Sequence, residues 1–149
     1  MSAQYPEQIS NQAIESSLRQ WREHGGLHRL EGTKCNDCNN LYYPRRSVCP
    51  KCHSLNLSIF KFKGKGTILN FVKDEIPMIS VFGFREHMPK VVCTVKLDEG
   101  PVILGELVDL VDIGLITKGE KVKTVIRKQS RTSNTSWRYG YKFVLDKNY

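Results

Sequence analysis

Two pairs of cysteines carry the plainest chemistry in the chain. Cys35-Asn36-Asp37-Cys38 and Cys49-Pro50-Lys51-Cys52 are C-x-x-C turns with ten residues between them. Each such turn aims two thiolates at one point, and two of them complete a tetrahedral four-sulfur site with Zn–S bonds of ~2.3 Å. Soft thiolate ligands select Zn²⁺ over Mg²⁺ or Ca²⁺, and an Fe(Cys)₄ centre matches the same pattern. A redox C-x-x-C or two disulfides are the alternatives, but the redox motif belongs in a βαβ setting and uses a single pair. Four protein ligands leave no open position, so the ion is expected to be structural and to fold a segment of about 25 residues with few core hydrophobes. Asn39 follows the first knuckle, and asparagine tolerates the left-handed backbone such turns often need. The fifth cysteine, Cys93, sits in an apolar strand and is expected to be a buried, inert thiol.

No catalytic constellation accompanies the cysteines. His24, His28, His53 and His87 lack the spacing of a catalytic metal motif, and Gly64-Lys65-Gly66 is too short for a phosphate-binding loop. There is no G-x-S-x-G elbow. Asp98-Glu99 is a carboxylate pair, but a tight hairpin explains it better than acid–base chemistry. The expectation is a binding protein and not an enzyme.

The elements that must position these residues are legible by period. Ile9, Ala13, Ile14, Leu18 and Trp21 share one side of a helix over residues 9–24, which Ser10 or Asn11 can cap and Gly25-Gly26 can stop. Strands are expected at Leu57–Lys63, Thr67–Lys73, Lys90–Leu97, Pro101–Asp109, Lys121–Lys128 and Gly140–Leu145, with a long connection at 74–89 and a polar loop at Gln129–Ser136. Asp98-Glu99-Gly100 is a hairpin turn. The division is a helical segment over 1–29, a zinc ribbon over 30–56 and a barrel over 57–149. The strand spacing suits a mainly β protein with a five-stranded Greek-key barrel of the oligonucleotide/oligosaccharide-binding (OB) type, while an SH3-like barrel or a sandwich has a similar strand count.

At 149 residues, with 40% hydrophobic side chains, the chain can hold a core without disulfides. No apolar run is long enough to span a membrane and no secretory signal opens the chain, so the expected location is the cytoplasm. The formal net charge is +8, unevenly distributed. Residues 38–73 carry seven basic side chains and no acidic one, 74–114 carry three basic and eight acidic, and 115–149 carry nine basic and two acidic. Two basic blocks flank an acidic one.

Leu30-x₄-Cys35-x₂-Cys38, the run Leu41-Tyr42-Tyr43-Pro44-Arg45, Cys49-Pro50-x-Cys52, Gly64-x-Gly66-Thr67 and Val95-x-Leu97-Asp98-Glu99-Gly100 together resemble the acyl-CoA-associated zinc-ribbon/OB-fold family long called domain of unknown function 35. The resemblance covers about residues 14–145. Two departures stand out: Asn39 replaces a usual glycine after the first knuckle, and Phe143-Val144-Leu145 lacks the usual proline. The resemblance implies an N-terminal helical segment, a rubredoxin-like ribbon and a C-terminal OB barrel. It also implies a non-catalytic scaffold that docks thiolase-like or hydroxymethylglutaryl-CoA synthase-like enzymes and accommodates acyl-CoA.

Coenzyme A carries phosphates and an adenine, which call for Arg and Lys beside a stacking surface. Arg45, Arg46, Lys61, Lys63, Arg127, Lys128, Arg131 and Arg138 are the candidate anion-binding residues, with Trp137 as a loop aromatic beside them. Val81, Phe82 and Phe84 are candidates for acyl or partner contact. Phe60 and Phe62 are expected in the core, and Tyr42 and Tyr43 around the zinc knuckle. A ribbon, an OB barrel and a pI of 9.3 also fit single-stranded nucleic acid or RNA, which stays open as the alternative.

Overall fold

The computed structural model describes residues 17–74, 90–110, 112, 114, 116–131 and 137–146. Helix α1 runs from Ser17 to Arg29; residues 9–16 of the expected helix lie outside the described residues. The expected stop at Gly25-Gly26 is corrected, because the helix continues through both glycines. They serve close approach: a Cβ on Gly25 would strike the Glu31 carboxylate, and the Gly26 carbonyl accepts a hydrogen bond from the Tyr43 hydroxyl. The turn falls instead at Leu30, which is buried in the core and takes the left-handed conformation (φ 50°). His28 and Arg29 stand in the last helical turn, where positive charge complements the helix dipole. Trp21 does not continue an apolar stripe; it is 79% exposed.

The ribbon is a three-stranded antiparallel sheet, β1 (Glu31–Cys35), β2 (Leu41–Tyr42) and β3 (Leu57–Lys61), in the order β2-β1-β3. The first strand expected in the barrel is therefore corrected. Leu57–Lys61 pairs along its whole length with β1, from Cys35↔Leu57 to Glu31↔Lys61. The period-2 pattern identifies a strand but not its partner.

Five strands close the barrel: β4 (Lys65–Asp74), β5 (Lys90–Leu97), β6 (Val102–Leu107), β7 (Lys121–Arg131) and β8 (Trp137–Leu145). Their order is β4-β5-β6-β8-β7, and β7 pairs back onto β4. All neighbours are antiparallel except β6 and β8, which meet in parallel at Leu107↔Phe143. A closed five-stranded barrel in which the third and fifth strands are parallel neighbours is the OB arrangement. The β5–β6 hairpin turns at Gly100 (φ 120°), as its sequence required. The loop expected over Gln129–Ser136 is shorter than the sequence suggested. β7 extends to Arg131, which pairs with Trp137 at the start of β8, so Trp137 is a strand residue.

Alternation in β5 buries Val91, Cys93, Val95 and Leu97 and turns Val92, Thr94 and Lys96 outward. These inward residues join Ile68, Ile103, Leu107, Ile116, Val122 and Phe143 in one cluster, and Leu30 and Phe62 from the ribbon end belong to the same cluster. Aromatic edges make the junction continuous: Phe60 on Phe62, Phe62 on Tyr43, Tyr43 on Tyr141 and Tyr141 on Phe143, with ring centroids 5.1 to 6.3 Å apart. Each such contact contributes about 0.5–1.5 kcal/mol beyond its buried area. Phe143 ends this chain inside the barrel and is fully buried. Phe143→Ala should cost about 3–5 kcal/mol, read as a lower midpoint in urea with an unchanged slope; a loss under 1 kcal/mol would remove Phe143 from the structural centre.

Candidate metal centre and basic groove

The four cysteines of the two knuckles come together. Their sulfurs all lie within 4.8 Å of one another, with Cys35–Cys52 and Cys38–Cys49 each at 3.5 Å. A tetrahedral zinc with ~2.3 Å bonds sets its sulfurs ~3.8 Å apart, so the arrangement fits. The two knuckles are built alike. The Cys35 amide donates to the Asn40 carbonyl and the Cys49 amide to the Ser54 carbonyl, each across five residues. The residue after the second cysteine of each turn is left-handed, Asn39 at φ 56° and His53 at φ 56°. Asparagine and histidine are among the non-glycine residues that enter this region most readily, which is why Asn39 can stand in place of glycine. The matching role of His53 was legible only from the repeat of the knuckle.

The electrostatics call for a cation. Burial opposes ionisation of Cys49, but hydrogen bonds from the Tyr42 hydroxyl (3.3 Å) and from the Cys52 and Lys51 amides outweigh it and bring the thiol down to about 5. The Ser54 amide favours the Cys52 thiolate, yet the Cys49 sulfur, burial, and the Cys35 and Cys38 sulfurs push Cys52 up to about 12. Four neighbouring sulfurs cannot all ionise unless a cation joins them. The Asn40 side-chain amide donates to Cys38 at 3.4 Å, so polar neighbours already orient the ligands. These residues hold one structural zinc, which when bound supplies cross-linking of the ribbon. Cys93 stands apart: it is buried in β5, its thiol donates to the Gly105 carbonyl, and burial pushes it up to about 11.

Among the described side chains, the expected anion-binding residues lie in separate places. Arg45 and Lys61 converge on Glu31, together with Arg29, which sequence reasoning missed. Arg29 donates to Glu31 at 2.6 Å and Arg45 lies 3.9 Å away. The hydrogen bond from Arg29 holds the Glu31 carboxyl below its usual range against partial desolvation, with the charges of Arg29, Arg45 and Lys61 adding to it. Arg46 is exposed, and its amide donates to the Thr33 hydroxyl. The Lys63 amide donates to Glu99. Arg127 forms a 2.7 Å ion pair with Asp109, and Lys128 lies across from Tyr139 in the β7–β8 hairpin. Arg131, Trp137 and Arg138 lie on the same hairpin by backbone pairing, and Val81, Phe82 and Phe84 lie outside the described residues. Tyr42 meets the knuckle as expected, whereas Tyr43 turns to Phe62 and Tyr141.

Between α1 and the segment Tyr43–Arg45 opens a groove of about 970 Å³, bordered by Trp21, Arg22, Gly25, Arg29, Pro44 and Arg45 among others. Tyr43 forms its inner wall, and burial raises that hydroxyl well above the ordinary tyrosine range, so it stays protonated and donates to Gly26.

A tetrathiolate ribbon joined to an OB barrel defines the class: a zinc-ribbon/OB-fold protein. Residues 22–58 match the family model described as ChsH2, rubredoxin-like zinc ribbon domain. The chain is 36% identical over 126 residues to a DUF35 domain-containing scaffold protein of Pyrococcus furiosus, covering 84% of this chain and 89% of the relative. It is 33% identical over 132 residues to one of Methanothermobacter thermautotrophicus, covering 87% and 96%. The chain belongs to the DUF35 domain-containing scaffold proteins. In three dimensions it resembles a chain of the Ltp2-ChsH2(DUF35) aldolase, with TM-score 0.67 and 23% identity over 89% of this chain and 97% of that one. It also resembles a DUF35-family protein of Sulfolobus solfataricus, with TM-score 0.53 and 13% identity over 96% and 97%. Among the described residues no helix is long and apolar enough to cross a membrane.

The purified chain should hold one zinc by elemental analysis. Cys38→Ser or a strong chelator should release it and abolish amide protection from Glu31 to Lys61; unchanged metal content in Cys38→Ser would sink the assignment. Tyr42→Phe, which removes the hydroxyl from Cys49, should weaken zinc affinity about tenfold in a competition titration with a chromogenic chelator.

Proposed function

We propose that this chain is a non-catalytic cytoplasmic scaffold that docks a thiolase-like or hydroxymethylglutaryl-CoA synthase-like enzyme and receives part of its acyl-CoA. The observation that carries the reading is family membership: relatives matched over most of their length are scaffold proteins. A fold neighbour, moreover, belongs to an assembly with aldolase activity. The barrel's outer face supports docking. Val72 (66% exposed), Leu104 (61%), Val102 and Leu69 stand outward on β4 and β6, set among the polar side chains of Asn70, Thr94 and Lys96.

The same face weighs against single-stranded nucleic acid. OB barrels that bind oligonucleotides use the face of their second and third strands together with the loops joining strands one to two and four to five, with stacking aromatics and basic side chains. Here the second and third strands are β5 and β6, and their outward residues are Val92, Thr94, Lys96, Val102, Leu104 and Glu106. No aromatic stands among them, and Glu106 is paired with Lys142 at 2.7 Å.

Affinity purification of the tagged chain from its native host, followed by mass spectrometry, tests the reading. A thiolase-like or synthase-like enzyme should be recovered in near-stoichiometric amount, and Leu104→Asp should remove it while leaving zinc content unchanged. Recovery of RNA or ribosomal proteins, with binding that weakens steeply in salt, would overturn it.

A further inference from the structure

The groove between α1 and Tyr43–Arg45 has a chemistry that no docking or zinc role uses. Trp21 is almost wholly in water on a helix that is otherwise anchored to the ribbon. Arg22 follows it and makes no ion pair among the described residues. One further helical stretch along, about 10 Å by the rise of seven residues, stands Arg29, and Arg45 faces it from the opposite wall. Arg29 and Arg45 share the single carboxylate of Glu31, and both side chains keep a large exposed fraction, 56% and 43%. Glu23 is the one carboxylate in the lining. Positive charge therefore exceeds negative across the groove, and the excess consists of guanidinium groups, whose planar forks match phosphate oxygens. A volume of about 970 Å³ is that of a cofactor-sized site.

We infer that this groove binds a phosphorylated purine nucleoside, its base stacked on Trp21 and its phosphates held by Arg22, Arg29 and Arg45. The adenosine-phosphate end of coenzyme A and a free adenine nucleotide share this chemistry. The coenzyme as source rests on the acyl-CoA reading above; the groove itself does not.

The chain has two tryptophans, so the full-length, zinc-loaded Trp137→Phe variant makes Trp21 the reporter. Its fluorescence should be quenched saturably by ADP, by adenosine 3′,5′-bisphosphate and by coenzyme A, with adenosine at least tenfold weaker. Arg22→Gln, Arg29→Gln and Arg45→Gln should each raise Kd about tenfold, with zinc content and helical circular dichroism unchanged. Arg22→Gln is the cleanest of these, because it disturbs no ion pair with Glu31. Coenzyme A binding more tightly than ADP identifies the coenzyme as the source, and equal affinities identify the free nucleotide. No quenching by any of the three phosphorylated ligands at millimolar concentration overturns the inference. Calorimetric binding of coenzyme A that ignores Trp21→Ala and all three arginine substitutions also overturns it, while leaving the acyl-CoA reading intact. Quenching by ADP without binding of coenzyme A supports the groove and removes the acyl-CoA reading instead.

Discussion

Four sulfurs held within 4.8 Å are a constraint that the polypeptide alone cannot satisfy. Ionised together they repel; protonated together they forfeit the hydrogen bonds that Tyr42 and the Lys51 and Cys52 amides offer to Cys49. A divalent cation resolves both conditions and turns metal affinity, ~10–16 kcal/mol for structural zinc, into folding energy. The ribbon needs it. Its sheet has a two-residue strand on one side of β1 and a five-residue strand on the other, and few of its side chains reach the core. The left-handed residues Asn39 and His53 are the local cost of bending each turn so that both of its sulfurs point inward.

What the zinc fixes is then passed on through packing. The ribbon sheet carries Thr33, which ties down Arg46, and ends beside Leu30 and Phe62, which enter the barrel's own cluster. From Phe62 the aromatic edges run through Tyr43 and Tyr141 to Phe143. Tyr43 has a second task, since its hydroxyl anchors the Gly26 carbonyl and so seats α1. Helix, ribbon and barrel thus share one residue at their meeting point. Loss of zinc is expected to loosen the groove before it loosens the barrel, because the closed sheet has its own ladder of hydrogen bonds.

The parts legible in the sequence were those governed by local chemistry. Cysteine spacing specified the metal site, alternation specified β5 from Lys90 to Leu97, and Asp98-Glu99-Gly100 specified its hairpin. Less legible were features decided by contacts distant in sequence. Leu57–Lys61 has a clear strand pattern, but its partner is β1, twenty-odd residues upstream. Gly25-Gly26 reads as a helix stop until Glu31 and Tyr43 are seen against it. Trp21 falls at an apolar position of the helical period yet faces water, which periodicity cannot reveal. Arg29 was passed over because it lies outside the basic blocks and acquires its meaning only opposite Arg45.

The charge pattern itself changes meaning once the chain is folded. The barrel sets the acidic block against the C-terminal basic block: Lys121 lies 3.8 Å from Asp98, Arg127 2.7 Å from Asp109 and Lys142 2.7 Å from Glu106. Lys123 meets Asp146 within its own block. These pairs lie across neighbouring strands or their turns, and most are exposed, so each adds little stability. Their effect is to cancel field. The ribbon block has no acidic residue of its own, and Arg45 and Lys61 share Glu31 with Arg29. Of the basic residues in the ribbon block, Arg45 and Lys61 thus meet Arg29 where α1 joins the ribbon, while Lys65 and Lys73 lie on β4 of the barrel. A polyanion track would need the two basic blocks to add without opposition, whereas Asp98, Glu106 and Asp109 of the acidic block stand against three cations of the C-terminal one.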